Sequence, residues 1–121
     1  QVRNDTKKLD KQRQANGISP NLIHSMDASH LMAVANRCHD RGIRSLAVIH
    51  DSFGVHAARA YELHDALRDT FIELYRTDWL TVFREEIAAQ LPEEIAATLP
   101  PTPGMGTFDI ERIAQSQYIF G

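Results

Sequence analysis

The 121-residue chain is 43% hydrophobic and 24% charged, the balance of a soluble globular domain long enough to bury a core. A formal net charge of −3 gives no support of its own to broad nucleic-acid binding, and the single cysteine, Cys38, excludes an internal disulfide and fits a reducing compartment as a small buried hydrophobe. No stretch approaches the roughly 18 apolar residues of a membrane span, and no signal peptide is visible.

Residue 1 is Gln, and the chain reads as a fragment or a processed piece. Residues 1–16 are polar, with Arg3, Lys7, Lys8, Lys11 and Arg13, and read as a solvated helix or loop. Gly17-Ile18-Ser19-Pro20-Asn21 is a turn signal. A short apolar piece follows, Leu22-Ile23-His24-Ser25-Met26, after which Asp27 or Ser29 is expected to cap a helix over 27–42. Leu31, Val34, Ala35 and Cys38 form its apolar stripe at i, i+3, i+4 and i+7, and Gly42 fits its C-terminal stop. The run Ser45-Leu46-Ala47-Val48-Ile49-His50 predicts a strand at 44–50, buried on both faces. A turn at Asp51-Ser52 and a return through Phe53-Gly54-Val55 would make a β-hairpin.

Residues 58–76 then read as a long amphipathic helix with Ala60, Leu63, Leu67, Phe71, Leu74 and Tyr75 inward. A second helix at about 78–91 offers Trp79, Val82, Phe83 and Ile87, and Pro92 opens a short third piece at 92–98. Pro100-Pro101-Thr102-Pro103-Gly104 is a stiff linker. Residues 109–115 form one more helix, and the apolar end Tyr118-Ile119-Phe120-Gly121 is expected to dock on the protein. The expected fold class is α+β: mostly helical, with a hairpin at about 44–57 packed against long amphipathic helices.

Charge is uneven along this order. Residues 1–60 hold nine Lys/Arg against five Asp/Glu, and residues 61–121 hold four against eleven. All six histidines lie within the first 64 residues. The first half is suited to face an anion and the second to act as a solvated acidic support, although two differently charged faces would give the same numbers.

Three constellations can carry chemistry. Asp51 is a carboxylate delivered by a rigid strand into a tight turn, a placement that suits a divalent cation and equally suits an ordinary turn aspartate bonding its own backbone. As a metal ligand for phosphoryl transfer it needs a second carboxylate, since one cannot offset two divalent ions, and this chain offers none at the end of another strand. The segment His24-Ser25-Met26-Asp27-Ala28-Ser29-His30 brings His24, Asp27 and His30 together only if wholly helical. A helix N-terminus with a solvent-facing His30 is the simpler reading, and a zinc site lacks its further ligands. The dipeptide His-Asp occurs at 39–40, 50–51 and 64–65. An HD-type metal phosphohydrolase draws such ligands from helices, whereas His50-Asp51 follows a strand pattern.

Pro20-Asn21-Leu22-Ile23-His24-Ser25-Met26-Asp27-Ala28-Ser29-His30-Leu31, followed some 20 residues later by Val48-Ile49-His50-Asp51-Ser52-Phe53-Gly54, resembles the C-terminal part of the single-subunit DNA-directed RNA polymerases of phages and mitochondria. The tail from Gly106-Thr107-Phe108-Asp109 to Gly121 also resembles that family's ending, so the natural C-terminus is expected here. The resemblance is strong over about 8–57, moderate over 104–121, and one of character only between them.

The resemblance implies an incomplete fragment of a right-hand polymerase, covering part of the palm and fingers. Its segments would be a polar leading stretch at 1–26, a helix at 27–42, a catalytic hairpin at 44–57, helical support at 58–99, and a linker, short helix and tail at 100–121. It implies nucleotidyl transfer by two Mg²⁺ ions, with Asp51 as the catalytic metal ligand, His50 against the end of the transcript, and His24 positioning the incoming ribonucleotide near its 2′-OH. Implied partners are DNA template, RNA transcript, ribonucleoside triphosphates and the remainder of the polymerase, with no membrane. The implied setting is the cytoplasm of a phage-infected or bacterial cell, ahead of mitochondria. The isolated chain is expected to be inactive. The competing reading is a non-catalytic interaction module or palm remnant.

Overall fold

The computed structural model describes residues 8–119, and the chain divides into two compact units, Gln1–Val55 and His56–Gly121. The first unit contains one long helix and one hairpin. Helix α1 runs over Lys11–Asp40, 30 residues without a break. Asp10 starts it: its carboxylate accepts the Arg13 amide at 3.1 Å, meeting one of the donors that a helix N-terminus leaves unpaired.

This single helix takes in the end of the leading stretch, read as helix or loop, and replaces the expected turn at 17–21 and separate helix at 27–42. Pro20 lies inside it. Proline removes one backbone donor, but its fixed φ near −65° is itself helical, and the Asn16 carbonyl left without that donor lies on an exposed stretch where water can satisfy it. Asp27 and Ser29 are therefore not caps. Ser25 and Ser29 turn their hydroxyls back onto the Leu22 and Ser25 carbonyls, at 2.6 and 2.8 Å, as mid-helix serines do.

The C-terminal end of α1 matches expectation in detail. Gly42 has φ 78°, its amide bonds the His39 carbonyl at 2.9 Å, and the Ile43 amide bonds the Cys38 carbonyl at 2.9 Å. That pair of bonds is a Schellman stop, and Ile43 and Cys38, its hydrophobic partners, are both buried. Val34 and Cys38 are fully covered, while Leu31 and Ala35 are half-buried, so the predicted stripe is the covered one.

Strands β1 (Ala47–Ile49) and β2 (Ser52–Gly54) pair antiparallel and complete the first unit. The strand expected at 44–50 with both faces buried is shortened to three residues, and Ile49 is 70% exposed. The reason is that, among the described residues, the sheet has only these two strands. A two-stranded ribbon has no neighbour to cover its second face.

In the second unit, a 3₁₀ turn at Ala57–Arg59 leads into α2 (Ala60–Tyr75), which buries Leu63, Ala66, Thr70 and Ile72. The buried Thr70 hydroxyl is satisfied by the Ala66 carbonyl at 2.8 Å. Ala60, expected inward, is exposed. Helix α3 (Trp79–Ala89) begins at Asp78, which accepts the Thr81 amide at 3.1 Å and the Thr81 hydroxyl at 2.7 Å. The hydroxyl bond is the main reason its carboxyl lies below the usual aspartate range.

Pro92 stands immediately before the short α4 (Glu93–Ala96), without a side-chain capping bond, where a piece at 92–98 was expected. The proline-rich segment beyond is pinned rather than free: Arg84 donates to the Pro100 and Leu99 carbonyls at 2.8 and 3.2 Å. A 3₁₀ segment at Ile110–Gln115 stands where a helix was expected. Arg76, just past α2, holds its Glu111 in a bidentate pair at 2.7 and 2.9 Å, and the Nε2 of His64 on α2 lies 3.0 Å from the carbonyl of Gln117, just past the segment. The hydrogen bond from Arg76 holds the Glu111 carboxyl below its ordinary value. Tyr118 is 80% exposed and Ile119 half-buried, while Phe120 and Gly121, the rest of the tail expected to dock, lie outside the described residues.

The Schellman stop yields a stability prediction. No atom lies within 4 Å of a Cβ placed on Gly42, so a Gly42→Ala cost would be backbone strain alone. We expect a loss of about 1 kcal/mol, read as a lowered thermal midpoint of the chain.

Candidate active site

The hairpin register pairs Ala47 with Gly54, Val48 with Phe53 and Ile49 with Ser52. The turn is therefore His50-Asp51, one residue earlier than the expected Asp51-Ser52. Two-residue turns of this kind twist in the sense that right-handed strands require, at the cost of a positive φ. Here His50 supplies it, with φ 55°, the only non-glycine residue with positive φ among the described residues. Histidine tolerates that region better than a branched residue, but less well than the glycine usually found there. Asp51 follows at the second turn position, exposed at the tip.

The carboxylate of Asp51 is not consumed by its own turn. Asp10, Asp78 and Asp109 each accept a nearby backbone amide at 3.1 Å. Among the described residues no such bond engages Asp51. The ordinary role of a turn aspartate is thus unfilled, and the residue is exposed, as an accessible cation ligand must be.

Alternation sorts the hairpin into two faces. Val48 and Phe53, directly paired, are half-buried on one face, and Ala47 and Ile49 are exposed on the other. Against the covered face lies His30 of α1. It is only 7% exposed, and its ring meets that of Phe53 edge-on, with centroids 6.4 Å apart and planes at 75°. The solvent-facing position expected for His30 is therefore corrected. The signal was present in the spacing: His30, Val34 and Cys38 recur at i, i+4 and i+8, extending the apolar stripe by one turn toward the N-terminus.

His24 is exposed on α1, six residues before His30 and about 9 Å from it along the helix axis. Asp27 is also exposed. Although the segment from His24 to His30 is wholly helical, its three polar groups do not converge. No group of three or more His, Cys, Asp or Glu side chains able to hold a metal exists among the described residues. The structure thus brings His50 and Asp51 together on one turn and leaves His24 on the neighbouring element. The all-helical arrangement required of an HD-type phosphohydrolase is not met, since His50-Asp51 occupies a hairpin turn.

Comparison with known proteins agrees with the motif pattern. A family model described as DNA-dependent RNA polymerase matches residues 1–99. The chain is 36% identical over 116 residues to DNA-directed RNA polymerase 1, mitochondrial, of Arabidopsis thaliana, covering 96% of this chain and 12% of that protein. It is 38% identical over 116 residues to DNA-directed RNA polymerase 3, chloroplastic, of Nicotiana sylvestris, covering 96% of this chain and 11% of that protein. A shorter relative, DNA-directed RNA polymerase 1A of Nicotiana tabacum, is 34% identical over 119 residues, covering 98% of this chain and 74% of the relative. The chain therefore spans about an eighth or less of the length of the organellar relatives.

These relatives overturn the expected setting in a phage-infected or bacterial cytoplasm, because they are mitochondrial and chloroplastic proteins. The reason for the error is chemical. The motifs that carried the expectation are shared by phage and mitochondrial members of the family that the chain resembles, so they do not mark the compartment.

The strained turn generates a local prediction. His50→Val should weaken the hairpin by about 1–2 kcal/mol, whereas His50→Gly should leave it as stable or more so. Hydrogen exchange at the amides of residues 47–54 reads this directly, and equal protection in both variants would remove strain at His50 from the account.

Proposed function

Because this chain belongs to the DNA-dependent RNA polymerase family, we propose that it is the catalytic palm segment of a single-subunit RNA polymerase, acting within an organelle and completed by polypeptide outside this chain. The observation that carries the proposal is the Asp51 carboxylate, exposed at a two-residue turn and unused by that turn. The hairpin turn at His50-Asp51 is the catalytic element, and α1 is its support.

The donor set fits half of a metal site. Asp51 is an oxygen ligand of the kind magnesium takes, and no second carboxylate joins it among the described residues. Two divalent ions carry four positive charges, so at least one further carboxylate must come from the rest of the polymerase. Bound magnesium would neutralise charge on the reacting phosphate and stabilise its attacking and leaving oxygens.

The chain's own residues divide the remaining work. Asp51 is presented by a hydrogen-bonded hairpin, so its carboxylate is held in place rather than searching for its ligand position. His50, beside it on the same turn, is assigned to the end of the transcript. His24 offers an imidazole, which both donates and accepts hydrogen bonds, to a ribose 2′-OH, which does the same. DNA template, RNA transcript and ribonucleoside triphosphates are the partners this assignment entails.

Two variants of the full-length polymerase test the assignment together. Asp51→Ala should lower single-nucleotide addition by about a thousandfold or more while promoter binding persists. His24→Ala should keep addition but cut the preference for ribo- over deoxyribonucleotides by about tenfold, the worth of one hydrogen bond. Elongation retained by Asp51→Ala would refute the metal role, and unchanged sugar selectivity in His24→Ala would refute the 2′-OH role.

A further inference from the structure

Three features of the first unit converge on one residue that the proposed mechanism does not use. The first is size. Each strand of the hairpin is only three residues long, and a ribbon of that size is marginal in water without packing on one face. The second is strain. The turn carries a positive φ at His50, an arrangement that persists only when surrounding contacts over-determine it. The third is the contact itself. His30 is buried to 7% exposure, and its ring stands edge-on to Phe53 at 6.4 Å and 75°, the geometry that aromatic quadrupoles favour.

Phe53 is one residue pair away from the turn. It faces Val48, and the next pair, Ile49 with Ser52, closes directly onto His50-Asp51. A ring held at position 53 therefore fixes the covered face of the hairpin within two residues of the Asp51 carboxylate. His30 is itself fixed by the rigid α1, the helix that bears His24. The contact thus links the element proposed to touch the ribose to the element proposed to hold the metal.

We propose that His30 is a positioning residue for nucleotide addition, setting the Asp51 turn relative to α1 through its edge-on contact with Phe53. The proposal rests on the assignment of Asp51 as a metal ligand. His30 touches neither substrate nor metal. Its role requires a flat ring of imidazole size at a buried helix position, and a merely space-filling role would be met equally well by leucine.

The test uses the full-length polymerase with His30→Leu, Phe53→Leu, the double variant and His30→Phe, alongside Asp51→Ala. Single-nucleotide addition is measured against Mg²⁺ and against ribonucleoside triphosphate concentration. His30→Leu should slow addition by about tenfold or more, since displacing a catalytic group by about 1 Å costs up to about a hundredfold. The slowing should appear in kcat and in a raised Mg²⁺ requirement, with KM for the nucleotide little changed. His30→Phe should restore most of the rate. Because both leucine variants break one contact, the double variant should be no slower than the slower single one.

Wild-type rate and Mg²⁺ dependence in His30→Leu would overturn the proposal, as would effects that multiply in the double variant. If Asp51→Ala is inactive while His30→Leu is unaffected, only the positioning role fails. If Asp51→Ala elongates normally, the assignment beneath it fails as well.

Discussion

A hairpin with three residues in each strand cannot hold itself in water, and the candidate site is built on such a hairpin. Its ladder has few hydrogen bonds, its outer face is exposed at Ala47 and Ile49, and its turn stores strain at His50. What holds it is the inner face, where Val48 and Phe53 are half-buried and the His30 ring stands against Phe53. The position of Asp51 follows from that packing. A carboxylate at the tip of an unanchored ribbon would sample many positions, and a cation ligand must occupy one.

Helix α1 supplies the anchor by being long and continuous. Its Schellman stop at Gly42 fixes where the chain leaves the helix, and Ile43, the next residue, is buried at once. Only four residues then separate Gly42 from Ala47, so the hairpin begins close to the last turn of the helix that packs against it. The second unit is organised differently. Its small buried set on α2 is supplemented by polar ties: Arg76 to Glu111, His64 to Gln117, and Arg84 to the Leu99 and Pro100 carbonyls at the start of the proline run. An exposed ion pair such as Arg76–Glu111 adds little stability by itself, but each of these ties fixes a segment that has little apolar surface with which to fix itself.

The sequence was most legible where one physical demand determined one residue type. The helix stop at Gly42 needs a positive φ, the stripe through Val34 and Cys38 needs a 3.6-residue period, and Pro92 suits a helix start. All three stand in the structure. The hairpin was legible because an apolar run ended at a polar pair. Its register was not, because a shift of one residue in the turn leaves the same composition; in the structure the turn falls at His50-Asp51, with the positive φ at His50. The Gly17–Asn21 signal misled because the bond and the i−4 carbonyl clash that an interior proline costs can be absorbed where the helix is long and exposed to water. His30 was hidden by its chemistry: a histidine in an otherwise polar motif reads as solvent-facing unless its spacing to Val34 and Cys38 is given priority. The candidate metal ligand was visible from its place in the motif, and in a chain spanning about an eighth or less of its organellar relatives no cluster of three or more metal-ligating side chains forms around it among the described residues.

The most direct measurement of the central claim is anomalous scattering from manganese in crystals of the full-length polymerase with template, transcript and an unreactive nucleotide. The account predicts a manganese peak within bonding distance, about 2.0–2.6 Å, of an Asp51 carboxylate oxygen at the hairpin tip, shared with a carboxylate from outside residues 1–121. Fully ligated manganese ions at the nucleotide phosphates with Asp51 out of reach would contradict it.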